Sequence, residues 1–122
     1  MEPDRRIRSY RDLEVWNLGM DLAQSVYART AAFPKSETLG LASQMRRAAV
    51  SIPSNIVEGY GRHATGEYRR HLCIARGSLL ELETQVILTR RIGLAGQEST
   101  QPLLDATERL GQMLTALIAK IR

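Results

Sequence analysis

Apolar residues return every three or four positions through four stretches of the chain and nowhere alternate over a strand's length, so the pattern predicts four helices and no sheet. The first stretch runs from about Asp12 to Ala32, with Leu13, Trp16, Met20, Ala23 and Tyr27 on one face. The run "FPKS" ends it, because the residue before Pro34 is pushed out of the helical region. Ser36 is the expected N-cap of the second helix, which carries the seam Met45, Ala49, Ile52 and Ile56 and continues to Glu58, where "GYGRHATG" breaks it. Thr65 is the expected cap of the third, in which Tyr68, Leu72, Ala75, Leu79, Leu82 and Val86 keep the spacing of helices packed at small crossing angles. In "IGLAGQEST", Gly93 or Gly96 supplies a left-handed end residue, and Ser99 or Thr100 caps the fourth helix. That helix carries Leu103, Thr107, Leu110, Leu114, Leu117 and Ile121, with Pro102 expected in its first turn. Short connections between long helices favour antiparallel neighbours. The expected fold is all-α: an antiparallel up-down-up-down four-helix bundle over residues 11–122, behind an N-terminal arm of residues 1–10.

The second helix breaks the simple pattern. Beside its apolar seam lies a small and polar stripe, Gln44, Ala48, Ser51, Asn55, Glu58 and Arg62. Glu58 and Arg62 are placed as an i,i+4 pair. Pro53 removes a backbone bond to Ala49 at a cost of about 3 kcal/mol, so a kink is expected there, with Ser51 and Ser54 satisfying part of the freed backbone. In the third helix Gly77 and Ser78 interrupt the long side chains of "ARGSLLELE", which suits close approach of another backbone. Arg46 and Arg47 have two readings. Either both are solvated, or at least one pairs with Glu81 or Glu83, inside the bundle or across a subunit boundary, because a buried unpaired guanidinium is costly. Asn55 either fixes register or faces water.

Composition narrows the class without naming a chemistry. At 122 residues, 43% of them hydrophobic and only one each of Trp and Phe, the chain suits one domain with a Leu, Ile, Val, Ala and Met core. The lone Cys73 forbids an internal disulfide and fits a reducing compartment. The opening residues lack an apolar leader, and no apolar run nears the roughly 20 residues of a membrane span, so a soluble cytoplasmic protein without membrane contact is expected. The formal charge of +4 permits an acidic partner, but residues 1–11 and 63–91 are each only mildly basic. All of the 17 basic residues except Lys35 and Lys120 are Arg.

The runs "YRDLEVW", "LASQMRRAAVSIPSNIVEGYGR" and "GEYRRHLCIARGSLLELETQ" closely resemble the family called four helix bundle proteins, also named after proteins encoded in intervening sequences of large-subunit ribosomal RNA genes. The resemblance covers about residues 9–122. It implies a bacterial antiparallel bundle whose relatives assemble into homopentamers around a central opening. A related bundle is the accessory variability determinant of diversity-generating retroelements, where a basic pentamer engages nucleic acid and a reverse transcriptase. For most of the family no molecular activity is established. By motif match, Arg46, Arg47, Pro53, Asn55, Glu58 and Gly59 occupy one set of signature positions, and Gly77, Ser78, Glu81 and Glu83 a second. Val57 stands where many relatives have Ala.

Catalytic and metal patterns fail their context tests. His63, Glu67 and His71 are spaced by four, yet His63 precedes the expected cap and no second ligand helix is evident, so an ordinary surface pair is the reading. "GYGRHA" follows a helix rather than a strand, which removes the dinucleotide reading. Neither His has a Ser or Cys partner in view, and Cys73 between Leu72 and Ile74 reads as a small buried residue. No catalytic residue, metal or cofactor is expected. The sequence therefore points to a non-enzymatic, self-associating bundle, a homopentameric scaffold or interaction module. The alternative is a nucleic-acid-binding accessory protein that contacts RNA or DNA through Arg62, Arg69, Arg70, Arg76, Arg90 and Arg91, although the arginines of charged helix faces usually pair with glutamates or simply keep a bundle soluble.

Overall fold

The structure, a computed structural model, describes residues 7–37 and 39–121, so residues 1–6 of the expected arm lie outside the described residues. Four helices follow in order: α1 Glu14–Thr30, α2 Leu41–Gly61, α3 Thr65–Arg91 and α4 Gln97–Lys120. Short 3-10 turns at Tyr10–Asp12 and Lys35–Glu37 precede α1 and α2, and no strand occurs among the described residues. Each helix packs on the next and α4 returns to α1, while the diagonal pairs α1 with α3 and α2 with α4 stay out of backbone contact among the described residues. The molecule is a four-helix bundle around one apolar centre.

No N-cap side chain closes the start of any of the four helices, and several ends differ from the sequence expectation. Ser36 lies within the short turn before α2 and does not cap it. Gly40 takes the N-cap position, and Glu37 Oε1 accepts from the Leu41 amide at 3.2 Å. Ala64, rather than Thr65, precedes α3. Gly93 does end α3: its φ is 76°, its amide donates to Arg90 O at 3.1 Å, and the Leu94 amide donates to Thr89 O at 3.0 Å. Those two bonds form a Schellman motif, which satisfies carbonyls the last turn leaves open. Gly96 precedes α4, not Ser99 or Thr100, so α4 starts early and Pro102 falls beyond the first turn. Its missing amide there leaves the Glu98 carbonyl without its helical donor. Ahead of α1, Asp12 accepts from the Arg8 and Ser9 amides at 2.8 and 3.2 Å, bonds that hold its carboxyl below the usual range.

The expected seams of α2 and α3 form the centre: Met45, Ala49, Ile52 and Ile56 meet Leu72, Ala75, Leu79, Leu82 and Val86, all buried. The first and last helices correct the pattern. On α1 the buried side chains are Val15, Leu22, Ala23 and Val26, with Gly19 and Thr30, while Met20 and Tyr27 are exposed. Two apolar stripes run along this helix. The bundle buries the one that faces both neighbours, and the other, with Trp16, Met20 and Tyr27, is left lining an open groove beside Val50, Pro53 and Val57 of α2. On α4 burial passes from Leu114 to Ile118 rather than Leu117, because a straight helix of 3.6 residues per turn drifts off a seven-residue repeat. Among the described residues no helix is long and apolar enough to cross a membrane.

Candidate functional site along the second and third helices

The polar stripe of α2 packs directly on α3, and small side chains make this possible. Ala48 and Gly59 are buried and Ser51 and Asn55 half-buried. A Cβ added at Gly59 would stand 2.6 Å from His71 Cβ and 3.3 Å from Tyr68 Cα, so here the two helices approach as closely as atoms allow. The close-approach glycine is therefore Gly59. Gly77, for which the sequence suggested that role, has nothing of its own chain within 4 Å of where a Cβ would be.

A chain of hydrogen bonds runs along this seam. The Ser51 and Ser78 hydroxyls lie 2.8 Å apart. Asn55 Nδ2 donates to the Ser51 carbonyl at 2.9 Å and to its hydroxyl at 3.0 Å. Asn55 Oδ1 in turn lies 3.2 Å from His71 Nδ1. Asn55 thus fixes the register of α2 on α3. Ser51 does not relieve the backbone freed by Pro53, since its hydroxyl faces α3. Helix α2 continues through Pro53 to Gly61, and the buried ring fits against Gly19 of α1, where an added Cβ would meet it at 3.5 Å.

The two arginines of α2 divide their roles. Arg46 Nε donates to Thr30 Oγ1 at 2.8 Å, its Nη2 reaches the Tyr27 carbonyl at 3.5 Å, and the guanidinium stacks 4.7 Å from the Tyr27 ring centre. Thr30 passes the bond on to the Val26 carbonyl at 2.7 Å. Arg46 thereby fastens the end of α1, where helix carbonyls need donors. Neither Arg46 nor Arg47 pairs with Glu81 or Glu83 inside the bundle. Glu83 Oε2 lies 3.3 Å from the Thr107 hydroxyl instead. Arg47 and Glu81 are both exposed on a polar groove of about 380 Å³ between α2 and α3, with Gln44, Ser51 and Ser78 in its lining. Arg46→Met is expected to cost about 1–2 kcal/mol in urea unfolding, from one charge-assisted bond and one ring contact, whereas Arg47→Met should change the fold's stability by less than about 0.5 kcal/mol.

The six arginines considered for nucleic acid are mostly engaged. Arg62 meets Glu58 at 3.0 Å, the expected i,i+4 pair, and Arg70 lies 3.7 Å from Glu67. Arg76 donates to Thr115 Oγ1 at 3.3 Å, and Arg90 to Thr100 Oγ1 and Gln101 Oε1 at 2.9 and 3.0 Å. Arg69 and Arg91 are exposed, about 33 Å apart along α3. On the outer side of α3, Ile74 and Leu80 are exposed on either side of the bare Gly77 in the sequence, and Ile87 and Leu88 are exposed about 15 Å further along the helix. Cys73 is half-buried.

His71 is the residue the sequence placed wrongly. It is buried rather than at the surface, and its position one step from Leu72 on the inner face was the available signal. Glu67 Oε1 lies 3.8 Å from its Nε2, and no group of three or more metal-ligating side chains occurs among the described residues.

The family model described as 23S rRNA-intervening sequence protein matches residues 11–116. Among solved structures, the crystal structure of a protein of unknown function from the S23 ribosomal protein family of Bacteroides thetaiotaomicron is similar, with a TM-score of 0.77 over 85% of this chain and 97% of that one. At 19% sequence identity that likeness concerns the fold. Comparison with curated proteins finds no match.

Proposed function

The chain belongs to the 23S rRNA-intervening sequence protein family, and from that premise we propose that it is a non-enzymatic bundle that assembles with copies of itself, as a homopentamer, and serves as a scaffold or interaction module. The observation that carries this reading is the outer side of α3. Four large apolar side chains stand exposed on α3, Ile74 and Leu80 within a turn of Gly77 with its open space above, and Ile87 and Leu88 about 15 Å further along. Several large apolar side chains exposed on one helix beside polar ones fit a surface where protein meets protein. Arg47 and Glu81, signature positions that form no ion pair among the described residues, line the polar groove and can supply charge complementarity to a neighbouring copy.

The polar groups of the seam support the non-catalytic part. Ser51, Ser78 and Asn55 bond in series and Asn55 bonds to His71, so these side chains use their hydrogen bonds to hold two helices together, even where Ser51 and Ser78 also border the polar groove.

Native mass measurement at micromolar concentration tests the proposal, with a particle five times the mass of one chain expected. A stable monomer overturns it. RNA or DNA binding that weakens steeply with salt, by a monomer, would instead favour the accessory-protein function, since phosphate contacts release counterions.

A further inference from the structure

Two exposed strips of the surface carry the same charges in opposite order. On α2, Arg47 and Glu58 stand three turns apart, about 16 Å along the axis, and on α3 the same separation divides Glu81 from Arg70. All four side chains are exposed. Three turns bring the chain back to the side it started from, so on each helix the two charges share a face. The α3 of a second copy, laid antiparallel on α2, therefore brings Glu81 to Arg47 and Arg70 to Glu58 in a single register. Laid parallel over the same span, it opposes like charges at both ends, which is costly.

What lies between the charges fits the same register. Between Arg70 and Glu81, α3 shows Ile74, 38% exposed, and Gly77, which has nothing of its own chain within 4 Å of where a Cβ would stand. Between Arg47 and Glu58, α2 shows Val50, 42% exposed, and Ser54, and both line the open groove of about 330 Å³ that α2 forms with α1. Counting inward from the paired ends sets Ile74 opposite Ser54 and Gly77 beside Val50. The isoleucine then enters a groove walled by Val50, Pro53 and Val57, and the valine takes the space over the glycine. An apolar centre with charged pairs at its rim is the usual anatomy of a protein joint.

We propose that copies of the chain join head to tail, with α3 of one lying antiparallel on α2 of the next in this register. The inference rests on the self-association proposed above and names the contact that makes it. Local pairing does not block it: Glu58 holds Arg62 at 3.0 Å and Arg70 lies 3.7 Å from Glu67, but both pairs are exposed and a carboxylate has room for more than one donor. Each copy turns a different helix to each of its two neighbours. Such a joint extends into a closed ring when the rotation per copy allows, whereas a two-fold contact stops at two.

The test uses full-chain variants and native mass measurement at micromolar concentration. Val50→Glu spoils the α2 face and sets a carboxylate near the neighbour's Glu81, while Gly77→Gln fills the space on the α3 face. Both positions are exposed, so each variant should melt within about 4 °C of the unsubstituted chain. Each variant alone is expected as single chains. An equimolar mixture of the two should give a particle of two chains and nothing larger, because one sound α2 face remains to meet one sound α3 face. Glu58→Arg and Arg70→Glu should each weaken association by about tenfold or more, and their combination should recover it. Variants that keep the particle mass of the unsubstituted chain overturn this contact and leave self-association standing. A mixture that stays at single-chain mass overturns the head-to-tail arrangement, and charge reversals that do not recover when combined overturn the register. An unsubstituted chain that is itself monomeric overturns both this contact and the self-association it rests on.

Discussion

Replacing Gly59 with valine is expected to lower the unfolding free energy by about 3 kcal/mol, measured by urea denaturation. The first added atom already falls 2.6 Å from His71 Cβ and 3.3 Å from Tyr68 Cα. Neither can swing aside, because one is a backbone atom and the other is bonded directly to the backbone. The helices must separate instead, which strains the Asn55–His71 bond and opens the seam toward Ser51 and Ser78. Gly59→Ala should show the same sign with a smaller loss, since alanine recovers up to about 1 kcal/mol of helix propensity. Gly77 provides the control. It sits in the interior of α3 with open space where its side chain would go, so Gly77→Ala should stabilise an isolated chain by up to about 1 kcal/mol. Equal losses at both glycines would mean that helix contact does not distinguish them.

The same pair shows what could be read from the sequence and what could not. Each glycine interrupts a helix pattern, and local spacing cannot say which one meets another backbone, because that depends on how two helices cross. The seams of α2 and α3 were legible because their three-and-four spacing runs unbroken through each helix, whereas the other apolar residues of α3, Ile74, Leu80, Ile87 and Leu88, follow no such regular spacing. On α1 two stripes compete, and only the positions of α2 and α4 select Val15, Leu22 and Val26 over Met20 and Tyr27. His71 was misplaced for a related reason: its polar ring reads as surface until Asn55, one turn from Ser51 on the facing helix, supplies a partner. Arg46 illustrates a further limit. Its partners are a threonine and a carbonyl of α1 rather than a glutamate, and a search for opposite charges passes over both.

Arg47 and Glu81 carry the sharpest test of assembly. Both are exposed in the single chain and neither forms an ion pair among the described residues, so reversing either charge leaves the contacts described for the bundle in place. Melting of the fold should shift little. If Arg47 of one copy meets Glu81 of another, Glu81→Arg sets two cations against each other at every joint, and association should weaken by about tenfold or more per joint. Arg47→Glu alone should do the same with two anions. Combining the two reversals restores opposite charges with their order exchanged, and should recover the particle mass that each single change loses. Such recovery is specific to a pair in contact, because substitutions at independent sites would add their losses rather than cancel them. Raising the salt concentration should shrink the single-variant effects, as exposed charges at the rim of a joint are screened within about 8–10 Å. Single reversals that leave the particle mass unchanged would place both side chains in solvent and return the joint to the apolar face of α3 alone.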